Sequence, residues 1–156
     1  MKDWTCCFTG HRPEKLTQPE GVVKANLEKE ILQAISNGFT VFISGMARGV
    51  DLWAAEIVLY LKSTGQPIQL ICAVPYDGFE DRWPMDLKSL YRSILHKADR
   101  VEFVCTGYSR NCFQLRNKWM VDHSSLVIAV YNGGPGGTKN TINYALHNSV
   151  PVLRIS

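Results

Sequence analysis

No Cys-x-x-Cys pair occurs among the five cysteines, and the four histidines add no zinc-ligand spacing to them. A structural metal, a redox couple and a disulfide framework are therefore not expected, and no cofactor is required for the fold. No apolar run approaches the length of a bilayer span, which argues against a membrane role, and Met1-Lys2-Asp3-Trp4 leads into a strand without a signal-peptide pattern. A cytoplasmic protein is the expectation. Charge of one sign is also scarce: the net charge is +3, with Lys and Arg spread along the chain. That balance suits a small anionic ligand better than a long polyanion, so nucleic acid is not the expected partner. What the chain does have is ordinary globular composition, 46% hydrophobic and 20% charged over 156 residues. This suffices for one domain, residues 1–156, with a sizeable core.

Strand-like and helix-like patterns alternate along the whole chain. Trp4–Thr9 is a β-prone run closed by the breaker cluster Gly10-His11-Arg12-Pro13. Thr17-x-x-Glu20 reads as a capping box with Pro19 in the first turn of a helix, and Val23, Leu27, Ile31 and Ala34 recur at helical spacing until Asn37-Gly38. A strand over Thr40–Ile43 passes through Ser44–Gly49 into a helix over about Val50–Ser63, where Asp51 is a candidate cap. Ile68–Val74 is an almost unbroken apolar run suited to a strand buried on both faces. Further strands are expected over Val101–Cys105, near an edge, then Leu126–Tyr131 and Val150–Ile155; the intervening helices carry Leu87–Leu95, Asn111–His123 and the stretch up to Asn148. Short connections in such a pattern imply an α/β fold, a three-layer sandwich around a mainly parallel sheet of five to six strands.

In an open parallel sheet, ligands bind beyond the carboxyl ends of the strands. Three glycine-bearing loops fall there. Gly10, His11 and Arg12 follow the first strand, Ser44, Gly45, Met46, Ala47, Arg48 and Gly49 the second, and Asn132, Gly133, Gly134, Gly136, Gly137 and Thr138 the fifth. The last is the strongest signal, because bare backbone N–H groups, a hydroxyl and a helix N-terminus coincide, and that combination binds phosphate. Arg48 and Arg116 could add a planar charge, Asp51 could accept from a ribose hydroxyl, and Trp83 could stack on a base or cover the core edge.

Phe8–Pro13, Ser44–Asp51, Ala73-Val74-Pro75-Tyr76 and Asn132–Thr138 together resemble the YpsA-like family of the SLOG superfamily, in order and over nearly the whole chain. Ser44–Asp51 is also similar to a stretch of the DNA-processing protein DprA, and Arg116 through Thr138 to the LOG phosphoribohydrolases. The resemblance implies a Rossmann-like sheet whose Gly-rich loops, with Pro75 and Arg116, hold a nucleotide or related phosphorylated ligand. LOG enzymes place a Glu after their Gly-Gly-x-Gly-Thr, where this chain has Lys139-Asn140-Thr141. The missing carboxylate weighs against LOG-type hydrolysis. Three functions compete: a nucleotide-binding sensor or regulatory domain; an N-glycosidase in which Asp51, Asp77, Glu80 or His11 replaces the absent acid; and, last, a DprA-like binder of single-stranded DNA. Dimeric relatives make Trp119 and Met120 candidates for a homodimer face, although a core role explains them equally well.

Overall fold

Every second residue of the central strands is apolar toward one face and every other toward the opposite face, so the sheet must be covered on both sides. In the computed structural model, which describes residues 2–156, six parallel strands form one sheet: β1 (Thr5–Gly10), β2 (Val41–Ser44), β3 (Gln69–Val74), β4 (Arg100–Phe103), β5 (Leu126–Val130) and β6 (Val152–Ile155). Helices α1 (Glu20–Ser36), α2 (Val50–Ser63), α3 (Met85–Lys97), α4 (Cys112–Asp122) and α5 (Gly137–His147) connect them. The architecture is α/β and Rossmann-like. Cys6, Phe8, Phe42, Leu70 and Cys72 point into a core shared with α1, α2 and α3. Cys7, Val41, Ile43, Ile71 and Ala73 point the other way, toward α4 and α5.

The spatial order is β4-β3-β2-β1-β5-β6. Chain progression runs outward from β1 through β4, then returns to the other side of β1 for β5 and β6. Strand order therefore reverses between β1 and β5, whose register pairs Thr9 with Ala129 and Gly10 with Val130. The loops after these two strands leave the same sheet edge and diverge above it, which opens a crevice. β4 is an edge strand, as its alternating pattern suggests.

Several local expectations are corrected. Thr17 does not cap α1: the helix begins at Glu20 with Pro19 in the N-cap position and no side-chain cap. Proline already holds the extended backbone an N-cap needs, and Glu20 pairs with Lys24 at 2.8 Å instead of reaching back. Pairing of β4 ends at Phe103, and the Cys105 N–H donates to the Pro75 carbonyl beyond the strand. β6 starts at Val152 because Val150 still closes α5 with a bond to Ala145 O, after Ser149 turns the chain at φ 61°. Of the cysteines, Cys105 is half-buried and the others are buried; all are free. Met120 packs in the core beneath α4, and Trp119 stacks on His123 at 4.1 Å. Among the described residues no helix is long and apolar enough to cross a membrane.

Candidate functional site

A cavity of about 600 Å³ occupies the crevice between the carboxyl ends of β1 and β5. It lies within the range of small-ligand pockets. Gly10, His11 and Arg12 form one wall, Ala47, Arg48 and Asp51 a second, Gly136, Gly137 and Thr138 a third, and Arg116 closes the space from α4. Residues from four separate stretches of sequence thus meet at one place.

The loop from β2 to α2 is held by its own polar groups. Ser44 Oγ donates to the Asp51 carbonyl at 2.8 Å and accepts from the Met46 N–H at 3.1 Å. The Ala47 N–H donates to Asp51 Oδ2 at 3.3 Å. Asp51 therefore does not cap α2; Gly49 occupies the N-cap position, and the carboxylate stands in the first turn and ties the loop back. Gly49 is required by its backbone, with φ 89°, and by Pro13, whose Cδ lies 2.7 Å from where a Cβ would stand. Gly45 is required by space: a Cβ there would come within 2.9 Å of Asp51 Oδ2 and 3.0 Å of Arg116 Nη1. Ser44, Gly45, Met46 and Gly49 accordingly shape the loop without lining the cavity.

Asp51 and Arg116 form the buried floor. Asp51 is 8% exposed and Arg116 5%. Arg116 donates through Nε to Asn117 Oδ1 at 2.9 Å and through Nη1 to the Gly45 carbonyl. Its guanidinium is thus aimed by α4 and by the turn after β2. Burial raises the Asp51 pKa to about 6, with the positive charge of Arg116 and the Ala47 bond acting in the opposite direction. Burial likewise lowers the Arg116 pKa, and Asp51 opposes that shift. A buried acid poised near neutrality in a cavity is a recognised mark of a functional site.

The wall from α5 offers a helix start. Gly136 is the N-cap residue at φ 137°, and no side chain satisfies the first N–H groups. Thr138 is buried beside them, while Thr141 Oγ1 turns away to the Gly137 carbonyl at 2.8 Å. Across the cavity His11 is 7% exposed, with its ring 5.1 Å from that of Tyr131 and its Nε2 without a protein partner. Arg48 reaches Glu14 at 3.4 Å on the rim. Glu14 is exposed there, and a backbone hydrogen bond is the main cause that holds its pKa low.

Other candidates stand elsewhere. Pro75 is buried at the end of β3, away from the lining, and Asp77 is exposed. Glu80 is buried, but Arg92 Nε holds its carboxylate at 3.0 Å. Asn132 donates to the Lys15 carbonyl at 3.0 Å, and Gly134 accepts from the Tyr131 hydroxyl at 2.6 Å, so the first half of the Gly-rich loop is a strap outside the cavity. Lys15, Asn117, Phe79, Trp83 and Phe113 line the cavity without having been singled out for it, apart from the stacking option at Trp83. Phe113 and Arg116 are three residues apart on α4 and share a face, a spacing that could have found Phe113. Among the described residues no cluster of His, Cys, Asp and Glu could hold a metal ion.

Comparisons with known proteins show the family and the fold. The model of the YspA SLOG family matches residues 6–150. The chain is 34% identical over 116 residues to the uncharacterized SPbeta prophage-derived protein YoqJ of Bacillus subtilis, covering 67% of this chain and 68% of that protein. It is 31% identical over 147 residues to a UPF0398 protein of Bacillus cereus, covering 88% and 79%. Against a UPF0398 protein of Oceanobacillus iheyensis, 34% identical over 121 residues, the match takes in 75% of this chain and only 65% of the relative. Among solved structures, DNA processing protein A from Helicobacter pylori, described with a single-stranded DNA binding mode, superposes with a TM-score of 0.68 at 17% identity, covering 97% of this chain and 65% of that one. The X-ray structure of TM1055 gives a TM-score of 0.61 at 14% identity, covering 95% and 71%. At such identities the two structures attest the fold.

Proposed function

Because the chain belongs to the YspA SLOG family, we propose that it binds a nucleotide or nucleotide-derived small molecule in the cavity between β1 and β5, as a sensor or regulatory domain. One observation carries the reading. A buried guanidinium, a buried imidazole nitrogen without a partner and an uncapped helix start all border one space of nucleotide size. The imidazole nitrogen and the helix start are costly unless an anion or hydroxyl complements them, and the guanidinium supplies positive charge beside them. The phosphate is assigned to the start of α5, at Gly136–Thr138, where backbone N–H groups and the helix dipole favour negative charge. Arg116 supplies the permanent charge, and Asp51 accepts from a ribose hydroxyl. Calorimetry with nucleoside monophosphates and ribose 5-phosphate tests it: Arg116→Met, which keeps the buried stem, should weaken binding by about 1.5–3 kcal/mol, the value of a charge-assisted bond. Unchanged affinity in that variant, or no binding by the wild-type protein, refutes the assignment.

A second reading has its own support. Asp51 is the buried carboxyl of the cavity and has a raised pKa, the property of a general acid for an N-glycosidic bond. Lys139 and Asn140, which follow Thr138, are exposed and absent from the cavity lining. Incubation with nucleoside monophosphates, ADP-ribose and NAD, followed by chromatography of free base, decides between them. Binding without turnover is the expected outcome; turnover abolished by Asp51→Asn would make the protein an N-glycosidase.

A further inference from the structure

The cavity has a second chemical character at the end contributed by the β3–α3 connection. Phe79 and Trp83 from that connection, with Phe113 from α4, line the same space as Arg116 and Gly136–Thr138. All three rings are half-buried, leaving part of each surface uncovered. They are fixed against one another: Phe79 meets Trp83 edge-on at 5.2 Å, and Phe113 packs on Phe79 at a tilt, at 5.8 Å. Behind them Tyr91, which is 1% exposed, contacts Trp83 edge-on at 5.2 Å and Phe79 at 6.3 Å. The connection itself is pinned by Glu80, whose buried carboxylate accepts from Arg92 on α3 at 3.0 Å. Phe113 lies one helical turn before Arg116, so α4 presents a ring and a charge on one face to one ligand. Phe79 and Trp83 pack one side against the main core, and with Phe113 they stand at the wall of the cavity, in positions that cost little ordering when a flat group arrives.

The geometry points to a base-binding subsite formed by Phe79, Trp83 and Phe113, so that the ligand carries an aromatic heterocycle and not a sugar phosphate alone. This rests on the reading of the cavity as a phosphate-ligand site and adds the feature by which it selects. Phosphate at the start of α5 positions the molecule, and the aromatic wall contributes stacking, which is tolerant of base identity because every base has a π-face.

Ribose 5-phosphate, adenosine, AMP, GMP, CMP and UMP, titrated into the full chain by calorimetry, separate the two assignments. The wall predicts that nucleoside monophosphates bind at least about 10-fold tighter than ribose 5-phosphate. Trp83→Ala and Phe113→Leu should remove most of that difference, about 5- to 100-fold each for a lost stacking surface, while ribose 5-phosphate affinity stays within about 2-fold. Trp83→Phe, which keeps a ring against Tyr91, should retain most of the preference and guards against misfolding of the alanine variant. Equal affinity for AMP and ribose 5-phosphate overturns the base subsite and leaves the phosphate site standing. Adenosine binding that depends on Trp83 without any ribose 5-phosphate binding keeps the wall and removes the phosphate site. Absence of binding by every probe overturns both.

Discussion

A carboxyl group held at about pH 6 beside a guanidinium changes how the folded protein responds to acid. The unfolded chain releases the Asp51 proton near 3.8, whereas the native protein keeps it until about 6. Between those values the folded state binds the extra proton, so Asp51 makes stability fall as pH rises, by about 1.4 kcal/mol per pH unit. Below about pH 4 both states are protonated and the penalty vanishes; above pH 6 it is complete, on the order of 3 kcal/mol. Asp51→Asn cannot ionise. It carries a fixed cost from leaving Arg116 with less compensation, but that cost does not follow the Asp51 titration. Urea unfolding of both proteins from pH 4 to pH 7 should therefore show the difference in unfolding free energy drifting toward the variant as pH increases. A difference that stays flat would mean that Asp51 titrates as an ordinary surface acid. Gly45→Ala perturbs the same floor without altering charge: a Cβ would displace Asp51 and Arg116 together. Ligand affinity should fall in that variant, while Gly65→Ala, whose Cβ meets open space, leaves affinity unchanged and reports only the strain of its φ of 106° through melting temperature.

At the scale of elements, Arg92 on α3 reaches back to the β3–α3 connection, to Glu80 at 3.0 Å and to Asp81 at 3.9 Å. Arg92 is largely solvated, but its partner Glu80 is not. Arg92→Ala leaves a buried carboxylate without its donor, an arrangement that typically costs about 1–3 kcal/mol. Amide hydrogen exchange should accelerate across residues 76–83 while β1 and β5 remain protected, because that connection opens locally before the sheet does. Protection unchanged over this stretch would detach Glu80 from any anchoring role. The same connection marks where sequence reading stopped. Helix α1 and the strands were legible because Val23, Leu27 and Ile31 recur at helical spacing, the central strand runs are mostly apolar and the edge run alternates. That the three Gly-bearing loops share one sheet edge was legible because alternation of strands and helices places every β–α loop on one side. What could not be read was the division of labour within each loop. Gly45 and Gly49 serve packing against Arg116 and Pro13, Gly133 and Gly134 belong to an outer strap, and Glu80 is neutralised from a helix that begins five residues later. Gly45, Gly49 and Glu80 depend on tertiary partners that no local pattern announces, as does the strap through the contact of Asn132 with Lys15.

For the whole molecule, the question is whether the cavity or an extended surface binds the partner, since a structural neighbour is described as binding single-stranded DNA. A net charge of +3 produces a weak overall field. The cavity rim carries Arg12, Lys15 and Arg48, with Glu14 among them. A single strand crossing that rim meets at most three cations, so its binding should depend on salt with a slope of roughly −2 in log K against log salt. A small ligand with one phosphate held at α5 gives a still shallower dependence, because the buried Arg116 and the helix N–H groups are screened little by solvent ions. Oligothymidylate and AMP should compete, with AMP displacing the strand, as both need the same floor. Fluorescence anisotropy of labelled oligothymidylate between 50 and 200 mM salt, repeated with AMP present, measures both quantities. Weak anisotropy changes with a slope near −2 and full displacement by AMP fit a small-molecule site that a terminal nucleotide can enter. A slope steeper than about −4 that AMP leaves untouched would require about six phosphate contacts in all, more than the rim cations supply, and would transfer the assignment to nucleic acid.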